Sequence, residues 1–530
     1  MDFEYQEIYC SRRSNVFSRS GSVATSHPLA TQVGIEVLRR RGNAVDAAVA
    51  AAATLNVVEP MMTGVGGDVF ALVYMRRSHK LHCLNASGWA PERASVDEYK
   101  RRGYTKMPED GILSLTVPGA VHGWVSLVEN FGTMVLSDIL EAAIRYAEDG
   151  FPVSEVVSRD WQGQVEKLGR YGSRAYLIEN KAPRPGQIFR QRGLARTLEK
   201  IGEGGKEVFY KGEIAKAMVA ESKRRGGLLE EEDLATYGSK WVEPISTVYR
   251  DYRIYECPPN GQGMITLEAL NIVEGFAIDK LEHNSEEYLH LLIEATKLAF
   301  ADGEYHISDP DFHPIPLDRL LSKQHADKKR GFIQGQALES PSYGRFARDT
   351  VYLTVVDEER NVVSFINSLA SLFGSGVTVE GTGIVLQNRG RNFVLDKSHP
   401  NCLKPRKRPY HTIIPAMVFF EDKPYASFGV MGGMMQPQGQ LQVLCNLIDY
   451  SMSPQSALDA PRFRFYEGKK VALEEGISEE VKDRLRKRGH SIVHGEHSEF
   501  GGGQLILIDP HTKTLIAGSD PRKDGCAQGY

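Results

Sequence analysis

The sequence predicts an α+β fold in which strands from both halves of the chain are covered by helices. Three observations carry this reading. A β-rich run, Thr350 to Asp357 (TVYLTVVD), is followed after Glu358, Glu359 and Arg360 by a second, Asn361 to Ala370 (NVVSFINSLA). Two such runs with a short polar link read as an antiparallel hairpin. From Ala44 to about Asn56 the chain is alanine on nearly every side, which suits a helix packed closely between other layers. Short β-branched and aromatic runs alternate with helical patterns elsewhere, as two or more stacked layers require.

The hairpin sets a register. If Asp357 pairs near Asn361 or Val362, antiparallel pairing brings Thr350 beside Ser368, to within one position. Two hydroxyls then meet at the open end of the hairpin. By local pattern alone, a Thr opening a strand is strand material.

Composition narrows the class. Of 530 residues, 41% are hydrophobic and 25% charged, as in ordinary soluble globular proteins. Length allows three or four domains. A net charge of -4 argues against a nucleic-acid surface and a polybasic membrane anchor. Cys10, Cys83, Cys257, Cys402, Cys445 and Cys526 form no CxxC pair, so neither a zinc ribbon nor a disulfide framework is expected, and a reducing compartment is the natural reading. The N-terminal stretch has no apolar core of signal-peptide length, and Ala44 to Val58 is too short and polar to cross a bilayer. A cytoplasmic location is expected.

In chain order, Ser22 to His27 reads as a strand and Leu29 to Arg41 as a helix, with Gly42-Asn43 before the alanine-rich helix. Gly64, Gly66 and Gly67 precede Asp68 and a strand, Val69 to Met75. This is no phosphate loop, since it lacks the GKS or GKT ending and leads into a strand. Residues 135 to 230 read as a peripheral helical layer. Asn284 to Ala301 reads as a long helix ending at Asp302-Gly303. Residues 321 to 349 are polar and poor in pattern, a mobile approach to Thr350 where a chain cut is tolerated. Thr412 to Phe420 and Tyr425 to Val430 read as strands, and Gly432-Gly433 precede a helix from about Gln438 to Tyr450.

With these pieces in order, the chain resembles the γ-glutamyltranspeptidase family of the N-terminal-nucleophile hydrolase superfamily. The resemblance runs from NAVDAAVAAAATLNVVEPMMTGVGGDVF (43–70) through VPGAVHGW (117–124), EATKLAFAD (294–302) and DTVYLTVVD (349–357). It continues with FGSG (373–376), GTGIVLQN (381–388), KRPYHTIIP (407–415), MGG (431–433), APRF (460–463) and SDPR (519–522). It implies a four-layer αββα sandwich, and a precursor that cuts itself between Asp349 and Thr350 into segments 1–349 and 350–530 that stay associated as one intertwined unit. By the same resemblance Thr350 is the catalytic nucleophile and Ser368 orients it. Gly432 and Gly433 hold the oxyanion, since backbone N–H groups ahead of a helix suit a developing negative charge. The chemistry is self-consistent: cutting turns the Thr350 nitrogen from an amide into an α-amine with a reference pKa of about 7.7–8.0, a base on the nucleophile's own residue.

The recognition residues depart from the glutathione-cleaving members. Ser87 stands where they carry an Arg that grips the γ-glutamyl carboxylate. Their Asn, Gln and Asp that hold the α-amino group correspond to Ala370, Arg389 and Asn392, and their two serines after Arg-Pro to His411 and Thr412. A cationic Arg389 is a poor match for an ammonium group. The expected substrate is therefore a small amide whose acyl part carries a carboxylate and no α-amine, gripped by Arg389 with His411. Oxamate-type amidohydrolases and glutaryl-cephalosporin acylases are family members of this kind. The short lid segment 394–406 favours water over an amine acceptor. Two alternatives stay open: a true γ-glutamyl transferase or glutathione hydrolase, and a catalytically inactive binding protein on the same fold. No cofactor, metal, nucleic-acid or membrane partner is implied. His490, His494 and His497 lie in a loop and strand start, which does not suit metal ligation.

Overall fold

The structure, a computed structural model, describes residues 13–339 and 349–530, Asp349 by its backbone alone. Two seven-stranded sheets form its centre. The first runs, edge to edge, Val16–Ser18, Leu515–Ser519, Gly502–Ile508, Lys423–Met431, Ala416–Phe420, Tyr252–Glu256 and Ile245–Tyr249. The second runs Cys526–Gly529, Ser22–Thr25, Asp349–Val356, Val362–Ala370, Asp68–Met75, Lys80–Ala86 and Lys240–Val242. Every ladder in both is antiparallel. Each of the two draws strands from both sides of the 349/350 junction, so neither segment completes either central sheet alone.

Three apolar cores define four layers, as the αββα expectation requires. Between the sheets lie Phe70, Leu72, Tyr352, Ile366, Met417 and Ile506. Outside the second sheet, the helices Pro28–Arg39 and Ala44–Val58 pack through Val33, Ala47 and Ala51 against Val69, Leu353 and Phe365. Outside the first sheet, Gly263–Val273, Glu286–His306 and Met435–Ile448 bury Leu267, Leu292 and Leu444 against Val418, Phe428 and Leu505. The alanine helix is buried along its whole length, because small side chains let it sit between the sheet and outer helices. Asn43 starts it: the side chain accepts from the N–H groups of Val45 and Asp46, and Asp46 accepts from Asn43 N–H.

Three expectations change. The helix Glu286–His306 runs through Gly303 rather than ending there; a Cβ at that position would meet Ile265, so the glycine serves close packing within the helix. The segment 321–349 is not pattern-free throughout, since Ser322 caps a helix, Lys323–Arg330. The rest of the mobile-approach expectation falls partly on residues 340–348, outside the described residues. The strand expected from Thr412 begins at Ala416. Residues before it leave the ladder because side chains satisfy their backbone: Gln262 Nε2 donates to Thr412 O (2.6 Å) and Ile414 N–H to Gln436 Oε1 (3.1 Å).

Candidate active site

Thr350 lies near the end of the central hairpin. The ladder pairs Val356 with Val362 and Val351 with Asn367, then shifts so that Asp349 faces Ala370. The register before that shift sets Thr350 against Ser368, with 3.2 Å between Oγ1 and Oγ. Both residues are buried. Ser368 Oγ also accepts from Ala370 N–H (2.9 Å) and Arg389 Nη2 (3.0 Å). With Thr350 donating as well, the Thr350 rotamer is fixed by a hydroxyl that is itself fixed.

Arg389 opens a short 3-10 turn, Arg389–Asn392, and is fully buried. Its Nη1 donates to Thr412 Oγ1 at 2.8 Å. Among the described residues its Nε has no partner and no carboxylate forms an ion pair with it. Burial lowers its pKa to about 10, opposed by the field of Asp68. Asp68, paired with Ser368 across the sheet, is itself well occupied. Its Oδ1 accepts from Gly88 N–H (2.9 Å), Gly119 N–H (3.1 Å) and Gln387 Nε2 (2.8 Å), and its Oδ2 faces His411 Nε2 at 3.0 Å.

His411 is held neutral. Burial, then the Arg389 cation, lower its pKa to about 4, against the opposing bond to Asp68. Its Nδ1 accepts from Ile413 N–H (3.4 Å), so the proton sits on Nε2, facing Asp68. The imidazole is thus part of the wall rather than a second cation beside Arg389.

Gly432 and Gly433 follow the strand Lys423–Met431 and have φ of 125° and 61°, conformations that favour glycine. Their carbonyls accept from Met435 and Gln436 N–H, starting the helix Met435–Ile448. Gln262 Nε2 ties the turn to the neighbouring segment, donating to Gly433 O (2.9 Å) as well as Thr412 O. From the same helix, Gln436 Nε2 reaches Thr350 Oγ1 at 3.5 Å. The turn therefore sits beside the nucleophile, at a positive helix end.

The remaining expected residues lie further out. Ser87 Oγ is committed to Asn85 Oδ1 (2.6 Å), and its neighbour Gly88 joins it to Asp68. Asn392 Nδ2 donates to Tyr410 O (3.0 Å), while its buried Oδ1 has no partner among the described residues. Asn392, Arg391, Phe393, Asn401 and Tyr410 line a cleft of about 510 Å³, next to Arg389 along the chain. The expected cut has its Asp349 side chain outside the described residues. Asp68, Gln262, Gln387 and Gln436 were not among the expected site residues. Asp68 and Gln387 sit in stretches already singled out, GVGGD and GTGIVLQN, but a buried polar residue carries no local signal of its partner.

Among the described residues two further groups have donor atoms close enough for a metal: His290, Glu294 and His490, and Glu268, Asp302 and His325. Each already holds a cation, Lys297 on Glu294 and Lys329 on Asp302, both at 2.7 Å. His494 is highly exposed and does not join His490. Among the described residues no helix is long and apolar enough to cross a membrane.

Comparison with known proteins gives one answer. The gamma-glutamyltranspeptidase family model matches residues 30–530. A glutathione hydrolase-like YwrD proenzyme of Bacillus subtilis (strain 168) is 39% identical, over 97% of this chain and 99% of its own length. An acylase ACY 1 proenzyme of Pseudomonas sp. (strain V22) is 35% identical, over 98% and 95%. The crystal structure of a cephalosporin acylase from Bacillus halodurans superposes with a TM-score of 0.94 and 44% identity, covering 100% of this chain and 99% of that one. The chain therefore belongs to the γ-glutamyltranspeptidase family, self-processing amidohydrolases of the N-terminal-nucleophile fold.

Proposed function

We propose that this amidohydrolase cuts itself at Asp349–Thr350 and then hydrolyses small amides whose acyl group carries a free carboxylate. In the first reaction Thr350 Oγ1 attacks the carbonyl of residue 349. The C–N bond breaks, the nitrogen keeps its proton and gains one to become the α-amine, and water hydrolyses the ester. In the second, that amine takes the Thr350 proton as Oγ1 attacks the substrate amide, and Gly432 and Gly433 N–H groups hold the oxyanion. The amine product leaves with a proton, and water releases the acid. Ser368 holds the nucleophile's rotamer, and Gln436 supports it from the helix side. Ser87, Asn392, His411 and Thr412 shape the pocket around Arg389. The two segments remain together because each sheet needs strands of both.

One observation carries the substrate class: Arg389 is a buried guanidinium beside the nucleophile that, among the described residues, forms no ion pair with a carboxylate. An unpaired buried cation is costly unless something compensates it. A substrate carboxylate does so through the guanidinium N–H groups that Ser368 and Thr412 leave unused. The acylase names of the relatives accord with this reading. The test compares kcat/KM for an oxamate- or glutaryl-type amide with a matched amide lacking the carboxylate. A preference of roughly 10-fold or more for the first is expected. A preference for a γ-glutamyl anilide over its des-amino analogue would overturn the pocket assignment and favour a γ-glutamyl transferase. Thr350→Ala should leave a folded single chain with no turnover, read by denaturing gel and amide hydrolysis.

A further inference from the structure

The residues leading towards the junction are gripped by buried charged groups far from the catalytic cluster in sequence. Helix Glu286–His306 places His290, Glu294 and Lys297 on one face, and all three are buried. Lys297 Nζ lies 2.7 Å from Glu294 Oε1. The pair reads a single residue of the approaching chain through both backbone groups: Leu338 N–H donates to Glu294 Oε2 (3.0 Å), and Lys297 Nζ donates to Leu338 O (3.1 Å). One turn earlier on the helix, His290 Nε2 donates to Gln334 O (2.6 Å). That bond leaves His290 Nδ1 to accept from His490 Nε2 at 2.8 Å. Ala337 N–H donates to Arg488 O at 2.7 Å. Residues 334–338 are thus held by side chains from before the junction and by the backbone and support of residues after it.

A buried ion pair is a poor way to add stability, since desolvation offsets most of its attraction. What this one supplies is position. Residues 334–338 belong to no helix or strand, so their backbone groups have no ladder to satisfy them. A carboxylate and an ammonium fixed by a long helix recognise one N–H and one C=O in a single register. Twelve residues on, Thr350 is fixed by the central sheet. Anchoring the chain on both sides of the junction restricts how residue 349 enters the strand, and so how its carbonyl faces Thr350 Oγ1.

We propose that Glu294, Lys297 and His290, backed by His490, form a clamp on residues 334–338 that positions the chain for self-cleavage. Glu294 and Lys297 are positioning residues, acting through the chain they hold. This rests on the self-cleavage assigned above. The test follows conversion of the full-length chain to two chains by intact mass in wild type, Glu294→Gln and Ala337→Pro. The second variant removes the bond to Arg488 without disturbing a buried charge, and decides the matter if Glu294→Gln does not fold. Conversion should slow about tenfold or more in Glu294→Gln and several-fold in Ala337→Pro. Hydrogen exchange at Leu338 should rise in both. Once cut, the variants should keep kcat/KM within about twofold of wild type, which a general structural defect would not. Wild-type conversion rates in the folded variants would overturn the clamp alone. A wild-type chain that stays intact would overturn self-cleavage and the clamp with it.

Discussion

Arg389 and Arg522 are both shut away from solvent, and they are held in opposite ways. All the N–H groups of Arg522 are used: Nε and Nη2 on Glu474, Nη1 on Asp520, and the rest on Leu458 O and Ala460 O. Burial works against its charge, but Asp520 and Glu474 outweigh that and raise its pKa. Both carboxylates are in turn held down to about 2: burial works against their charge and is outweighed by Arg462 and Arg522 for Asp520, and by His497, Arg522 and Arg462 for Glu474. Arg462 completes the cluster on Asp520 Oδ2 at 2.8 Å. Arg389 instead touches two hydroxyls and, among the described residues, no carboxylate, and its pKa falls. A saturated buried arginine is a structural tie. An unsaturated one keeps binding capacity in reserve, at some cost to the fold.

The sharpest separation should come from Asp520→Asn, which leaves Arg462 and Arg522 without their shared carboxylate. Breaking a buried pair in this way costs about 3–5 kcal/mol, to be read from urea unfolding. A loss below about 1 kcal/mol would mean the cluster is not the tie that its hydrogen bonds describe.

Ser368→Ala should do the reverse. Acylation by the processed enzyme should slow about 10²–10³-fold in single-turnover measurements, with little change in the unfolding midpoint. Unchanged acylation would remove Ser368 from the nucleophile's support.

Arg389→Gln should cost about 1.5–3 kcal/mol, or roughly 10–150-fold, in kcat/KM on the carboxylate-bearing amide and little on its neutral match. Unlike Asp520→Asn, it should leave stability unchanged or raised, because it removes a buried charge that, among the described residues, forms no ion pair. Equal losses on both substrates would make Arg389 structural and erase the contrast.

The pH profile gives one more separation. His411, buried with a pKa near 4 against an ordinary 6.5, binds its proton more weakly folded than unfolded. Its stabilising contribution is therefore complete above about pH 6.5 and lost as pH falls through about 4. The slope within that window is about 1 kcal/mol per pH unit. The Arg522 cluster loses its own contribution only lower, as pH falls from about 4 towards 2. Stability measured from pH 7 to 4 in wild type and His411→Gln should lose that slope in the variant. An identical slope in both would show that His411 is not the titrating group.

The primary structure determined the hairpin and its register, because strand pairing across a three-residue link is local and side chains alternate with period two. That is why Thr350 and Ser368 could be paired from their positions alone. The alanine helix and its Asn43 start were legible for the same reason, since capping and helical periodicity act over a few residues. Only the tertiary structure decided what surrounds that pair. Asp68 gathers His411 and Gln387 from more than 300 residues away, and Gln262 joins Gly433 to Thr412 across the fold. It also decided that Arg389, marked by its charge, meets only hydroxyls among the described residues while Arg522 is saturated. Whether a buried charge is matched depends on which distant groups the packing brings to it, and no local pattern encodes that.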